Sequence, residues 1–220
     1  MDWIIRGVVR FQEEIYPRLE SQFAALATRQ EPQALFITCS DSRIVPDMVT
    51  QTSPGELFIC RNAGNIVPAH GEATGGVGAT IEYAVAALNV KHIIVCGHSD
   101  CGAMKGILFP ESVSEMPTVG AWLKYGDAAR RVVLENNPDL DRHDCLEAIT
   151  RENVRAQLLN LRTHPCVAAR MARGALEIHG WLYTIGSGLI ETFDERANRF
   201  RPLTLADAAQ IAATGCSEVS

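Results

Sequence analysis

The chain has 220 residues and a mass of 24.0 kDa, which suffices for one sizeable hydrophobic core and predicts a single domain over residues 1–220. Its formal net charge of −6 excludes a predominantly basic surface, so we expect no nucleic-acid partner. Seven cysteines follow an amino terminus without a secretory apolar core, which predicts free thiols, a cytoplasmic protein and no membrane association.

Residues 1–30 are predicted to form a helical arm. Apolar residues recur at helical spacing from Ile4 to Leu26, and Pro17 divides the segment into two predicted helices. The arm carries too little apolar surface to fold alone, so we expect it to pack against another surface.

The remaining chain alternates between predicted strands and helices. Short apolar runs rich in branched side chains predict buried parallel strands near residues 34–38, 56–60 and 92–96, with a fourth strand beginning near Leu182. Helices are predicted at residues 75–89, 118–135, 142–161 and 165–177, with a C-terminal helix and tail at 204–220. The predicted fold class is therefore α/β, with a parallel central β-sheet flanked by helices.

Metal-ligand residues follow two of the predicted strands. Cys39 comes after the first strand, and His98 and Cys101 come after the third. Because ligands collect at the carboxyl ends of strands in an open α/β sheet, we expect these three side chains to converge. Gly97 and Gly102 are expected to supply the tight turn between the second and third ligands. Two thiolates and one imidazole predict a tetrahedral Zn²⁺ whose fourth position stays open, as in catalytic sites.

Asp41 and Arg43 lie two residues apart, just beyond the first ligand. We expect a bidentate ion pair that keeps Asp41 ionised, so that its outer oxygen can accept a hydrogen bond from hydroxide on the metal. An ordinary surface salt bridge is the alternative interpretation. Since two thiolates would cancel the charge of the metal, we also expect a raised pKa for the coordinated water and activity that favours alkaline pH.

Several segments together resemble the β-class carbonic anhydrases. The similarity extends from about Phe11 to about Phe193 and is greatest to the bacterial branch that is often encoded beside a cyanase. It implies the zinc-dependent, reversible hydration of CO2 to bicarbonate and a proton by hydroxide on one Zn²⁺ per chain. The segments are Cys39-Ser40-Asp41-Ser42-Arg43, Arg61-Asn62-Ala63-Gly64-Asn65, Gly75-Gly76-Val77, Ile81-Glu82-Tyr83-Ala84, Gly97-His98-Ser99-x-Cys101-Gly102 and Glu152-Asn153-Val154.

The resemblance also implies a substrate pocket. Gln30 matches a glutamine that, in plant-type members, contributes its amide to the pocket of the neighbouring subunit. Phe58, Ala63 and Tyr83 match the apolar lining, and Gly102 matches a backbone donor beside the metal. In the family the helical arm wraps a second subunit, so the resemblance implies a homodimer or a dimer of dimers that binds CO2 and bicarbonate.

One residue bears on regulation. Members of the family that bicarbonate inhibits hold the anion with a Trp, an Arg and a Tyr, and the tryptophan position here is Phe36. Arg61 and Tyr183 are suitably placed, but a phenyl ring has no N–H to donate. We therefore predict a weak or absent second anion site and an Asp41 that pairs with Arg43 instead of binding the metal.

Two alternative functions remain open. The same site could hydrolyse CS2 or carbonyl sulfide, as related folds do, with selectivity set by the entrance tunnel. The chain could instead be a non-catalytic, zinc-stabilised protein that binds bicarbonate, although such a protein has no need of Asp41 and Arg43. Cys60 and Cys96 are interpreted as packing residues, and a redox role for Cys216 stays open. No proton shuttle is chosen among the remaining histidines, which are His70, His92, His143, His164 and His179.

Overall fold

A mixed β-sheet forms the centre of the computed structural model, which describes residues 1–215. Within those residues six strands pair in the order β2-β1-β3-β4-β5-β6. Strands β1 to β4 pair in parallel. Strand β5 is antiparallel to β4, and β6 is antiparallel to β5. The predicted parallel sheet is confirmed, and an antiparallel hairpin extends it. The strands are β1 Ala34–Cys39, β2 Leu57–Asn62, β3 His92–His98, β4 Glu177–Thr184, β5 Leu189–Asp194 and β6 Arg199–Pro202.

Helices flank the sheet, as predicted. The described residues also contain π-helical turns at Phe11–Ile15 and Tyr83–Ala87 and 3₁₀ turns at Pro110–Val113 and Lys124–Gly126. The α-helices are α1 Asp2–Arg10, α2 Tyr16–Leu26, α3 Pro46–Thr50, α4 Gly76–Glu82, α5 Gly102–Leu108, α6 Pro117–Leu123, α7 Asp127–Asn136, α8 Arg142–Thr163, α9 Pro165–Ala172 and α10 Leu205–Gly215. No helix within residues 1–215 is long and apolar enough to cross a membrane.

Strand β1 is buried along its whole length because apolar groups cover both of its faces. On one face Leu35 and Ile37 join a core cluster that includes Val154 of α8. On the other face Phe36 packs with Trp181 of β4, at 6.0 Å between ring centroids. A continuous run of branched and aromatic side chains is therefore what this central parallel strand requires.

Some predicted boundaries are wrong. Strand β4 begins at Glu177 instead of near Leu182. The prediction placed its start too late because the polar side chains and Gly180 in its first residues interrupt the apolar pattern. Helix α9 ends at Ala172 instead of 177, since Gly174 takes a left-handed conformation with φ of 69° and stops the helix. Helices α3 and α5 and strands β5 and β6 had no sequence prediction.

The amino-terminal arm is helical, as expected, with α1 and α2 joined by the π-helical turn Phe11–Ile15. Pro17 lies in the first turn of α2, where its missing N–H costs no helical hydrogen bond. Neither helix buries a single residue within this chain. Trp3 is 75% exposed and Ile5 is 57% exposed, so the arm presents an apolar face that its own chain does not cover.

Strand order reverses beside β1, because the chain adds β2 on one side of it and β3 on the other. Such a reversal opens a crevice at the carboxyl ends of the two strands, where ligands bind in open α/β sheets. Helix α8 lies very close to β3 at this end of the sheet. A Cβ atom on Gly97 would come within 2.8 Å of Val154 Cγ2, so only glycine allows this approach.

Candidate metal centre

Two thiols and an imidazole converge at the crevice beside β1. Cys39 is the last residue of β1, His98 is the last residue of β3, and Cys101 directly precedes α5. All three are buried, and their ligand atoms lie within 4.8 Å of one another. The two sulfur atoms are 3.9 Å apart. The structure therefore brings together the three ligands that the sequence predicted.

The imidazole of His98 is oriented for metal binding. Its Nδ1 lies 2.9 Å from the backbone oxygen of Ser99, so Nδ1 carries the proton and donates it to that carbonyl. The other nitrogen, Nε2, is buried and has no hydrogen-bond partner among the residues that the structure describes. A buried nitrogen without a partner is costly, and a metal ion would satisfy it.

The charge state of the thiols fits a divalent cation. The hydrogen bond between the two sulfur atoms lowers the pKa of Cys39, and the backbone N–H of Gly64 donates to the same sulfur at 3.4 Å. The hydrogen bond between the sulfur atoms, together with burial, raises the pKa of Cys101. Loss of a proton is therefore favoured at Cys39 over Cys101. A zinc ion would favour a second thiolate, since metal binding releases ligand protons.

Asp41 and Arg43 form the predicted bidentate pair. Arg43 Nε donates to Asp41 Oδ1 at 2.9 Å, and Arg43 Nη2 donates to Asp41 Oδ2 at 2.8 Å. These hydrogen bonds hold the pKa of Asp41 well below its usual range. Asp41 Oδ2 lies 3.9 Å from His98 Nε2, so the carboxylate stands next to the ligand cluster. Its charge and position suit a group that orients a reactant at the metal.

The turn between His98 and Cys101 differs from the prediction. The left-handed residue is Asp100, with φ of 58°, and neither Gly97 nor Gly102 provides it. Gly97 lies inside β3, and Gly102 is the first residue of α5. Asparagine and aspartate tolerate this conformation better than other residues with a side chain, which explains how a non-glycine residue can occupy the turn.

The sequence analysis assigned no role to a buried polar network on α8 that contacts the loop beside the candidate metal centre. Asn153 Nδ2 donates to the Gly64 carbonyl oxygen at 3.1 Å, and Gln157 Nε2 donates to Asn153 Oδ1 at 2.8 Å. Gln157 Oε1 in turn accepts from the backbone N–H of Val67 at 2.8 Å. The network fixes the loop whose Gly64 N–H contacts Cys39. Two polar residues at i and i+4 on an otherwise apolar helical face are the signal that could have revealed it.

The expected pocket residues have varied surroundings. Phe58 and Tyr83 pack on each other, with ring centroids 5.9 Å apart, and Tyr83 remains 50% exposed. The Ala63 carbonyl accepts a hydrogen bond from Trp122 Nε1 at 2.8 Å. Gln30 is exposed in the segment between α2 and β1, and Gly102 is exposed at the start of α5.

The cysteines outside the metal centre occupy the expected places. Cys60 and Cys96 are buried in strands, and burial raises the pKa of Cys96 to about 12. Cys145 and Cys166 lie on helices α8 and α9. All six cysteines in the described part of the chain have free thiols, and Cys216 lies outside that part.

Comparison with known proteins gives consistent matches. The model of a family described as carbonic anhydrase matches residues 34–190. The carbonic anhydrase of Pseudomonas aeruginosa is 50% identical over 214 residues, which cover 96% of this chain and 95% of that protein. Carbonic anhydrase 1 of Escherichia coli O157:H7 is 52% identical over 203 residues, which cover 92% of each chain.

Solved structures agree with the sequence matches. The β-carbonic anhydrase CcaA superposes with a TM-score of 0.90 at 45% identity, covering 92% of this chain and 99% of that chain. A tetrameric β-carbonic anhydrase from Sordaria macrospora superposes with a TM-score of 0.79 at 31% identity, covering 87% of this chain and 95% of that chain.

Proposed function

The chain belongs to the carbonic anhydrase family and is an enzyme of its β class, and we propose that it hydrates CO2 reversibly to bicarbonate and a proton with one Zn²⁺ per chain. One observation carries the mechanistic part of this proposal. The unpartnered Nε2 of His98 is buried together with the sulfur atoms of Cys39 and Cys101. This donor set matches the nitrogen and sulfur ligands that zinc prefers.

Cys39, His98 and Cys101 would hold the ion. When bound there, zinc supplies Lewis-acid chemistry that lowers the pKa of a coordinated water toward neutrality. The thiolates of Cys39 and Cys101 would cancel the two positive charges of the metal, which leaves a weaker field than a site of three neutral histidines. We therefore expect the activity to favour alkaline pH.

Asp41 and Arg43 would act on the attacking oxygen. Asp41 stays ionised because Arg43 donates to both of its carboxylate oxygens. The carboxylate can then accept a hydrogen bond from the O–H of the nucleophile and direct a lone pair of that oxygen toward the carbon of CO2. Arg43 is a positioning residue in this scheme, since it acts through Asp41.

A partner subunit would complete the substrate pocket. The apolar face of α1 is uncovered within the chain, and the related enzyme from Sordaria macrospora is tetrameric. We propose that the chain forms a single β-class domain. Its residues 1–30 would wrap a second copy of the chain, in a homodimer or a dimer of dimers. Gln30 and Tyr83, both exposed here, would then line the neighbouring active site with Phe58, Ala63 and Gly102. Sedimentation of Ile5→Glu beside Asp139→Lys tests this arrangement, because Asp139 is exposed outside the arm and only the change at Ile5 should dissociate the assembly.

The activity is tested by stopped-flow measurement of CO2 hydration on protein of known zinc content. The proposal predicts rapid hydration of CO2 and no comparable release of sulfide from CS2 or carbonyl sulfide. Faster turnover of the sulfur substrates would identify a hydrolase on the same site. Bicarbonate binding without turnover of any of these substrates would identify a non-catalytic zinc protein.

Two narrower assignments remain predictions. A cytoplasmic location rests on the free thiols of the described cysteines, which suit a reducing compartment. Membership of the bacterial branch associated with cyanase rests on the sequence resemblance. Cell fractionation with an antibody to the chain tests the first, and the gene neighbourhood tests the second.

A further inference from the structure

A second cluster of potential metal ligands lies at the opposite end of the parallel strands. His92 is the first residue of β3, and Glu177 and His179 are the first and third residues of β4. The register pairs His92 with Glu177 and Ile94 with His179, which places the three side chains together at the amino-terminal ends of these strands. His92 is six residues from His98 along β3, or about 20 Å, so this cluster is separate from the first metal centre.

The three ligand atoms have the separations that one metal ion requires. His92 Nδ1 and His179 Nε2 are 3.2 Å apart. Glu177 Oε2 is 3.8 Å from the former nitrogen and 3.7 Å from the latter. A single point lies about 2.1 Å from all three atoms, which is the bond length of zinc to imidazole nitrogen and carboxylate oxygen.

A hydrogen bond explains only part of this arrangement. The two imidazoles can share one proton, but the same Glu177 oxygen stands beside both nitrogens and is too far from either to form a hydrogen bond. The side chains are partly buried, with exposed fractions of 29% for His92, 43% for Glu177 and 19% for His179. Three converging ligand atoms on two adjacent rigid strands resemble a preformed site.

We propose that His92, Glu177 and His179 form a second site for a divalent transition metal, with zinc as the expected ion. Two imidazole nitrogens and one carboxylate suit zinc, cobalt or nickel and disfavour magnesium and calcium, which prefer oxygen ligands throughout. The cluster lines a cleft of about 570 Å³ together with Trp181, Arg201 and Asp207. Three protein ligands leave a coordination position for water or a small anion from this cleft. The site does not depend on the activity proposed above.

The test compares metal binding by the intact, zinc-loaded protein and by matched variants. Zinc content is measured after incubation with excess zinc and removal of the free ion, and added cobalt is followed by absorption spectroscopy. The variants are His179→Gln and Glu177→Gln, with His143→Gln as the control, since the side chain of His143 is 84% exposed and its Nδ1 contacts the carboxylate of the neighbouring Asp144. Melting temperature with and without added zinc provides a second readout.

The proposal predicts one more zinc ion per chain in the wild type and in His143→Gln than in His179→Gln or Glu177→Gln. Added zinc should raise the melting temperature of the wild type and of His143→Gln only. Cobalt bound at the second site should lack the thiolate charge-transfer band that Cys39 and Cys101 would produce. Equal metal content and equal thermal shifts in all four proteins would overturn the proposal. The ion at the second site should persist in Cys101→Ala, so zinc binding there can be measured even if the first metal centre is lost.

Discussion

Arg43 holds Asp100 at two points: Nη1 donates to the Asp100 carboxylate at 3.2 Å, and Nη2 donates to the Asp100 backbone oxygen at 3.2 Å. The same guanidinium donates to both carboxylate oxygens of Asp41. Because Asp100 lies between the predicted ligands His98 and Cys101, Arg43 connects the carboxylate of Asp41 to the turn between these two residues. Lys105 also contacts Asp100 and balances its charge.

Asp100→Ala should weaken zinc binding and lower the rate, whereas Asp100→Asn should largely preserve both. Alanine is strained at a φ of 58° and loses the contact with Arg43, while asparagine tolerates that backbone conformation. Residues that position metal ligands commonly contribute roughly 10- to 100-fold to affinity or activity. Competition with a zinc chelator measures the affinity. Equal zinc affinity in the two variants would show that the turn needs neither the contact of residue 100 with Arg43 nor a residue that tolerates the left-handed conformation.

Asp41→Asn should keep zinc and lose roughly 100-fold or more of the CO2 hydration rate. The amide lacks the charge that accepts the hydrogen bond of the attacking oxygen, and losing one such preorganised interaction commonly has an effect of this size. Asp139→Asn, an exposed aspartate on the surface, is the matched control. Stopped-flow rates on protein of measured zinc content provide the comparison. Near-normal turnover in Asp41→Asn would show that the ion pair of Asp41 and Arg43 has only a structural role.

Gly97→Ala should destabilise the fold by about 1 to 3 kcal/mol, because the added methyl group would overlap Val154 on α8. Gly186→Ala is the control, since no atom lies within 4 Å of the position that its Cβ would take. Urea unfolding of both variants measures the free energy of unfolding. Equal stability in the two variants would mean that α8 can move away from β3 without cost.

Millimolar bicarbonate should not inhibit the enzyme cooperatively. Phe36 is 1% exposed, packs against Trp181 and has no N–H to offer an anion. Arg61 already donates to the backbone oxygens of Cys39 at 3.1 Å and Asp41 at 2.7 Å, so two of its donors are committed. Initial rates across a bicarbonate series provide the measurement. A sigmoidal loss of rate would show that a second anion site forms despite Phe36.

The sequence sufficed to predict that Cys39, His98 and Cys101 converge, because both segments that carry them follow apolar runs of strand length. Cys39 and His98 end two adjacent parallel strands. Ligands in open α/β sheets bind at the carboxyl ends of the strands, so the two side chains were expected to lie close together. The left-handed turn at Asp100 could not be predicted, since glycine was the expected residue for that conformation. Strands β5 and β6 were missed because they form a partly exposed antiparallel hairpin with a weak apolar pattern.

The second ligand cluster shows a different limit of sequence reasoning. His92 was considered only as one of several possible proton carriers, and Glu177 lay outside the predicted strand. Their proximity follows from the register of β3 and β4, which pairs residues 85 positions apart in the chain. Periodicity along one strand contains no information about the register between two strands, so this cluster became visible only in three dimensions.

The central claim, that Cys39, His98 and Cys101 form the catalytic zinc centre, is tested most directly by measuring zinc content and CO2 hydration on the same samples of Cys101→Ala and Cys145→Ala. Both cysteines are buried, but Cys145 lies on α8 and its sulfur is not one of the three converging ligand atoms. We predict that Cys101→Ala loses the zinc of this centre and its activity together, while Cys145→Ala keeps both. Wild-type turnover by Cys101→Ala, or loss of zinc and rate in both variants alike, would contradict the assignment.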